Sequence, residues 1–515
     1  MQFRVFERNE RFPSSAINLA CLRIDHWNDY SFVTMFSMYV FDGQGKEYSI
    51  GNIKIGFKGQ ETEITTYQKI KEIFSSNMFE SLPNNFFSLG QDIDFYVNLM
   101  EIPNGMGKQI LDKLNDIAYK PEILSSIQNE SVFRISLIRD IREQTITEQF
   151  NRVLNGNALL SDFEFYFIRN GNEKMGEISL DFKIKANSLP STNIHAIIGR
   201  NGVGKTTLLT GMIKSFIDIN NDSEGAFYQR NPLGFFSNQE FKKIGSDYFS
   251  YLVTVSFSVF DPFIPNKENL EYYHYIGLKE SDEKLKEPAV YFESDFWKSF
   301  SICKSFSAKK ERWLNAIENL ESDQNFAEMQ LSELMEESRS KDDVLKRIKR
   351  MSSGHASVLL IMTHLVAKVE EKTLILLDEP ESHLHPPLLS AFIRALSNLL
   401  DNRNGVAIIA THSPVVLQEI PKSCVWKIER KGKRIDPFKL EIETFGENVG
   451  VLTREVFGLE VLKSGFYNLL IQKVETGNSY DNIISEFKEQ LGTEARILLK
   501  TLIRNRDTKI TEVNK

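Results

Sequence analysis

The stretch Asn193-Ile-His-Ala-Ile-Ile-Gly-Arg-Asn-Gly-Val-Gly-Lys-Thr-Thr207 decides how the rest of the chain is read. A short apolar run (Ile194, Ala196, Ile197, Ile198) has the pattern of a buried strand and runs directly into Gly199, Arg200, Asn201, Gly202, Val203, Gly204, Lys205 and Thr206. Thr207-Leu-Leu-Thr-Gly-Met-Ile-Lys-Ser-Phe216 then reads as a helix. Strand, glycine loop and helix follow in the order of a phosphate-binding loop, and G-x-x-x-x-G-K-[ST] is filled at every fixed position. Glycines let the backbone turn its N–H groups onto an anion, and the helix start adds partial positive charge. Residues 199–207 are therefore candidate contacts for ATP, with Lys205 reaching its outer phosphates and Thr206 holding Mg2+.

The whole chain bounds the answer. Its 515 residues exceed one ordinary core and predict two or three structural units. Charged residues at 26% and hydrophobic ones at 41% are those of a folded soluble protein. A net charge of -8 argues against a generally nucleic-acid-coating surface, though not against a local basic groove. Three cysteines (Cys21, Cys303, Cys424) lie far apart, so neither a disulfide framework nor a zinc site is expected, and a reducing cytoplasm fits. The first thirty residues break every apolar run with charge and lack a signal-peptide core. No run approaches the roughly 18 apolar residues of a membrane span.

Along the chain, residues 18–57 predict an antiparallel β element with a hairpin at Asp42-Gly43. Residues 62–128 read as mainly helical, with helices over 67–74 and 107–119. Residues 132–138 look like a strand, 145–154 like a helix, and 163–168 and 178–184 like two more strands. After the glycine loop comes a long insertion. It holds an apolar strand over 251–260 and a charged helical region over 295–349, whose Trp313, Ile317 and Leu320 predict a lobe packed on its own domain rather than a long arm.

A second set of motifs follows. Met351-Ser-Ser-Gly-His355 precedes an amphipathic helix over 356–369. Leu374-Ile-Leu-Leu-Asp-Glu-Pro380 is a strand ending in a carboxylate pair, the arrangement found at the carboxyl edge of a parallel sheet. Asp378 is placed to hold Mg2+ opposite Thr206, and Glu379 to orient and deprotonate an attacking water. Another strand, 406–410, ends in Thr411-His412-Ser413-Pro414, where His412 can sense the γ-phosphate.

Glycine loop, Ser-Ser-Gly, apolar-Asp-Glu-Pro and strand-Thr-His together resemble the ATP-binding-cassette (ABC) ATPases, in the soluble branch with SMC-like, RecF-like and OLD-like members. The resemblance implies an α/β fold: an ABC-type P-loop ATPase head, its mixed sheet flanked by helices. It also implies a head-to-tail homodimer around two ATP molecules, in which Ser352, Ser353 and Gly354 cap the γ-phosphate held by the other copy. Two departures stand out. His355 takes the place of the usual Gln or Glu, and no glutamine occurs over 257–261, where the family's magnesium-contacting glutamine is expected. Ser256 or Ser258 is the substitute, and slow or regulated hydrolysis follows as an expectation.

Blander readings compete at several places. His383 and His385 are two apart and allow a metal reading, but the same branch carries Glu-x-x-Leu-His-Pro there as a subunit-contact loop. Arg139, Asp140, Arg142 and Glu143 read as a solvated face. The basic run from Lys427 to Arg434 reads as a hairpin tip about Gly432, with DNA contact as the alternative. Tyr166 lies near where an adenine-stacking aromatic would come, yet strand aromatics are usually core. Beyond residue 414, strands over 425–430 and 438–444 are expected, then helices over 450–457, 462–470, 481–491 and 493–504. This part of the chain holds no Asp-x-Asp of a Toprim nuclease and is too short for that domain, and no His-Asn-His or other nuclease pattern is found elsewhere.

The division expected is 1–130 N-terminal β/helical region, 131–219 ATPase lobe with the glycine loop, 220–350 largely helical insertion, 351–445 second part of the ATPase lobe, and 446–515 helical partner-binding region. That plan is similar to the PtuA ATPases of Septu antiphage defence, also found beside retrons. The resemblance implies an even-numbered oligomer controlling a PtuB-like HNH nuclease, with a retron reverse transcriptase and its nucleic acid as further partners. The alternative is a DNA repair or chromosome-organising ATPase acting directly on DNA.

Overall fold

The computed structural model describes residues 1–25, 32–139, 141, 143, 145–154, 162–172, 175–218, 222, 224–230, 241–245, 248–256, 270, 272–277, 279, 284–287, 290–336, 338–382, 384–457 and 465–513. Asp140, Arg142, Ser258 and His383, the stretch 257–261 and the start of the helix expected at 462 lie outside them.

Apolar runs with no polar alternation belong in strands covered on both faces, and the centre of this molecule is built from them. Strands β9 (Ile194–Ile198), β12 (Tyr251–Ser256), β13 (Tyr273–Gly277), β14 (Thr373–Asp378), β15 (Val406–Thr411), β16 (Val425–Lys431) and β17 (Arg434–Phe438) form one sheet in the order β13-β12-β14-β15-β9-β16-β17. All neighbours run parallel except the β16/β17 hairpin. Successive side chains on a strand point to opposite faces, so Leu374 and Leu376 enter one core and Ile375 and Leu377 another.

The first core is closed by helix Lys205–Ile217 and a second, antiparallel sheet. That sheet is made of β7 (Phe163–Arg169), β8 (Ile178–Ile184), β10 (Ala226–Arg230) and β11 (Phe241–Lys243), in the order β11-β10-β7-β8. The other face carries helices Phe296–Ser305, Ser307–Leu320, Ser353–Lys368 and Pro386–Arg403. Trp313, Ile317, Leu320, Phe326 and Leu334 are buried there, which makes the charged helical region a packed lobe as expected. The fold is α/β, a mixed sheet covered on one face by helices and on the other by a helix and an antiparallel sheet.

The N-terminal portion has its own core, running from Phe3 to Leu154. Its sheet, β5-β1-β2-β3-β4-β6, comprises β1 (Gln2–Phe6), β2 (Leu19–Ile24), β3 (Met35–Phe41), β4 (Glu47–Phe57), β5 (Met78–Phe79) and β6 (Phe86–Gly90). The expected hairpin joins β3 to β4, its turn held by Asp42, whose Oδ1 accepts from the N–H groups of Gln44 and Lys46.

Several expectations are corrected. Residues 132–138 are not a strand: Phe133–Leu137 is helical, because Val132, Phe133, Ser136 and Leu137 bury one helical face at spacings of one, three and one. These residues pack in the N-terminal core, not in the ATPase lobe. Over 18–57 strands β2, β3 and β4 are antiparallel as expected, and β1, outside that stretch, adds a parallel neighbour to β2; β6, however, lies within the stretch read as mainly helical. In the insertion, β12 takes the place of the strand expected from residue 251, whereas β10, β11 and β13 were not expected, and β12 and β13 complete the central sheet. The last strand is Arg434–Phe438 rather than 438–444, because Gly432 at φ 65° turns the chain directly after Lys431 and sets Lys431 opposite Arg434. The C-terminal helices Phe466–Glu475, Tyr480–Glu486 and Thr493–Val513 share a separate small core around Leu470, Ile483 and Leu499. Among the described residues, no helix is long and apolar enough to cross a membrane.

A buried ion network fastens the N-terminal portion to the ATPase head. Asp92 caps helix Ile93–Met100 by accepting from Asp94 N. Arg312 binds Asp92 at 2.6 Å and Asp94 at 2.8 Å, and Arg403, 1% exposed, binds the same two carboxylates at 2.7 and 3.0 Å. Burial opposes ionisation of Asp92, but the guanidiniums of Arg312 and then Arg403 hold it well below the ordinary carboxylate range. Arg403→Met leaves two carboxylates with half their compensation, and loss of one partner from such a network costs about 3–5 kcal/mol. The folded-state value of Asp92 lies below the unfolded one of about 4. Its contribution is therefore complete above that pH and lost progressively below it. Denaturation curves at neutral pH should show the full deficit of Arg403→Met, and at about pH 3 a smaller one; equal stability of variant and parent at neutral pH would sink this account.

Candidate nucleotide site

Parallel register brings the motifs to one edge. Ser256 pairs with Asp378, Asp378 with Ala410, and Thr411 with Ile198, so β12, β14, β15 and β9 end side by side. Residues 199–204 leave β9 at that edge and helix Lys205–Ile217 begins there. The loop is tight. A Cβ on Gly199 would lie 2.5 Å from the carbonyl oxygen of Ile428, and Gly204 holds φ 107°, which L side chains avoid. Arg200, Asn201, Gly202 and Thr207 face solvent, whereas Val203 is buried and contributes its backbone rather than its side chain. Lys205, 4% exposed, donates to the carbonyls of Gly199 (3.0 Å) and Arg200 (3.3 Å).

Across the loop, Glu379 leaves β14 with φ 46°, in the left-handed region, and its N–H donates to Ala410 O at 2.8 Å. This turn carries the carboxylate out of the strand direction. Its Oε1 lies 3.8 Å from Lys205 Nζ and 3.7 Å from His412 Nδ1, with the side chain 37% exposed. Thr206, Ser256 and Asp378 line one cleft together with Thr254, Tyr273 and Tyr275. An alcohol and a carboxylate facing the same cleft beside an N–H cradle form a hard-oxygen donor set suited to Mg2+ and a nucleotide phosphate. Ser256, considered as a substitute for the missing glutamine, is in that cleft.

One residue escaped the sequence reading. Glu381 is almost buried and accepts from Thr411 Oγ1 and His412 N, both at 2.7 Å, while His412 Nδ1 lies 3.1 Å from the same oxygen. It anchors the turn that presents His412. In the sequence it stood only as the first residue of the Glu-x-x-Leu-His-Pro motif read as a subunit contact, two residues after Glu379.

The structure thus assembles residues 199–207, Asp378, Glu379 and His412, and leaves the Ser-Ser-Gly motif apart. Ser352 caps helix Ser353–Lys368, Ser352 and Ser353 are exposed, and Gly354 is buried. Among the described residues, no hydrogen bond or ion pair joins these three to the glycine loop. Tyr166 belongs to the antiparallel sheet, edge-on to Phe241 and bonded to Glu164. The basic run is a hairpin: Arg430, Lys431, Lys433 and Arg434 are exposed at its tip, and Arg430 Nη1 reaches Gly202 O at 3.5 Å.

Comparison with known proteins gives three results. Residues 194–418 match the family described as AAA domain, putative AbiEii toxin, Type IV TA system. Similar solved structures include an ABC-transporter ATP-binding cassette in its ADP conformation, 16% identical over 59% of this chain and 100% of that one, with a TM-score of 0.32. An SMC head bound to the C-terminal winged-helix domain of ScpA is 10% identical over 54% and 97%, with a TM-score of 0.31. Protein ea59 of Escherichia phage lambda is 47% identical across 98% of this chain and 99% of that protein. Identity at that level along the whole length decides the kinship: the chain belongs to the family of protein ea59.

Proposed function

We propose that the chain is an ATP-hydrolysing switch whose site is completed by a second copy bound head to tail. The observation that carries this reading is the meeting of Lys205, Glu379 and His412 at one sheet edge, with Glu379 Oε1 within 3.8 Å of both Lys205 Nζ and His412 Nδ1. In it, residues 199–207 hold the phosphates, Thr206 and Asp378 hold Mg2+, and Glu379 takes the proton of the attacking water. The ion when bound neutralises phosphate charge. Glu381 keeps His412 aimed at the γ-phosphate position, and the Ser352-Ser353-Gly354 segment of the other copy, whose two serines are exposed, closes the site.

From the motif resemblance alone, we extend the proposal to a PtuA-like output: the closed dimer acts on a partner HNH nuclease in antiphage defence, through the helices after residue 446. A second reading, direct action on DNA, is favoured by the exposed basic hairpin tip beside the glycine loop. It requires binding to DNA by the protein alone, falling steeply with salt and weakened by Lys431→Glu with Lys433→Glu. Co-purification of a nuclease encoded beside the chain, with no such DNA binding, supports the first reading.

Glu379→Gln should keep ATP affinity and lose hydrolysis by about 10²–10⁴-fold, the range of a general base. An unchanged rate of phosphate release would remove Glu379 from that role. Glu381→Ala should lower turnover by roughly 10–100-fold, as loss of positioning does, while Glu381→Gln, whose amide oxygen still accepts from Thr411 and His412, should stay near the parent. Equal losses in the two variants would show that the charge, rather than the hydrogen bonds, matters at this position.

A further inference from the structure

Behind the Ser-Ser-Gly motif lies a polar cluster that the reading above does not use. Asp323, 5% exposed, caps helix Gln324–Glu328, its Oδ1 accepting from Phe326 N at 3.2 Å. The same carboxylate faces two imidazoles: His355 Nε2 is 3.2 Å from Oδ1, and His385 Nε2 is 3.5 Å from Oδ2. At the far side of the rings, His355 Nδ1 is 2.5 Å from Ser352 Oγ, and His385 Nδ1 accepts from Leu388 N at 3.1 Å, capping helix Pro386–Arg403. Phe326 packs against the His355 ring, with centroids 5.4 Å apart.

One carboxylate and two imidazoles with ligand atoms within 4.8 Å of one another have the composition of a divalent-metal site. The ring nitrogens argue otherwise. A neutral imidazole carries one hydrogen and one lone pair. His385 spends its Nδ1 lone pair on Leu388 N–H, so its hydrogen sits on Nε2 and points at Asp323, where a metal would need the lone pair. Oδ1 of Asp323 is an acceptor too, which places the hydrogen of His355 on Nε2 and leaves Nδ1 to accept from the Ser352 hydroxyl. Every contact in the cluster is then a matched donor and acceptor, and no cation is called for.

Resting on the reading that residues 352–354 close the phosphate site of a second copy, we infer that Asp323 and His355 are positioning residues for Ser352. Asp323 fixes the tautomer of His355. His355 in turn holds Ser352 Oγ by its ring, while its main-chain N–H donates to the same oxygen at 3.4 Å. The seryl group is thus set at the start of helix Ser353–Lys368 in one orientation before any phosphate arrives. His385 ties this setting to the turn after Glu379 in the same chain, because it binds the other oxygen of Asp323 and caps the helix that follows that turn.

The test separates positioning in trans from mere support of the chain. His355→Leu and Asp323→Asn should keep the affinity of the glycine loop for ATP and lower turnover by about 10–100-fold. Asn at 323 can accept from only one of the two rings. His355→Gln, whose amide can accept from Ser352 and donate to Asp323, should restore turnover. In mixed dimers, Lys205→Ala paired with His355→Leu should recover about half of parental activity, because one site joins an intact glycine loop to an intact Ser-Ser-Gly motif, whereas both changes in one chain paired with parent should leave no more than the residual turnover of His355→Leu. The reverse pattern, a defect that follows the chain's own glycine loop, overturns the inference, as does one equivalent of zinc retained by the parent and lost in His385→Ala. Sedimentation of Glu379→Gln with ATP distinguishes the two levels: a monomer at all concentrations refutes the trans reading itself, and a dimer with unaltered His355→Leu turnover refutes only the role of His355 and Asp323.

Discussion

The constraint on which the rest depends is the parallel register of β12, β14, β15 and β9. Chain segments hundreds of residues apart end at one level because Asp378 pairs with Ala410 and Thr411 with Ile198. A slip of one residue would turn Leu374 and Leu376 from the core shared with helix Lys205–Ile217 to the opposite core. It would also carry Asp378 and Glu379 away from the glycine loop. Fully apolar strands buried on both faces make such a slip expensive, so packing and site geometry are specified by the same contacts.

The second organising feature is electrostatic. Two aspartates at one helix start meet two arginines from two helices of the head, each arginine bonded to both aspartates. A buried pair of this kind is weak evidence of net stabilisation, since hydrophobic replacements often do as well. Its value here lies in registry. Arg403 ends the helix that begins at Pro386, directly after the turn that carries Glu379 and Glu381, so the N-terminal portion is fixed to an element that leads back to the site. The Asp323 cluster is attached at the other end of that helix. One helix thus connects the N-terminal portion, the carboxylate turn and the Ser-Ser-Gly motif.

Legibility in the sequence was uneven for physical reasons. Motifs whose chemistry is local were read directly: the glycine loop needs its left-handed turns and close approach at fixed spacing, and the Asp378-Glu379 pair sits at the end of an apolar run. Residues 132–138 were misread because aromatic and β-branched side chains carry strand preference, whereas packing against the N-terminal core selected a helical face from the same letters. β10 and β11 were missed inside the insertion because short strands reveal themselves through their neighbours, here β7.

By itself, the sequence determined the strand, glycine loop and helix over 194–217, the order of the site motifs, and the α/β character of the head, since each rests on residues adjacent in the chain. Only the tertiary structure decided that Glu381 supports His412, that Asp92 and Asp94 bridge Arg312 and Arg403, and that Asp323 joins His355 to His385. These contacts join residues up to 311 positions apart. Hydrogen bonds and ion pairs of that range have no period or spacing, because the partner of a buried charge is chosen by the packing of whole elements rather than by its neighbours in the chain.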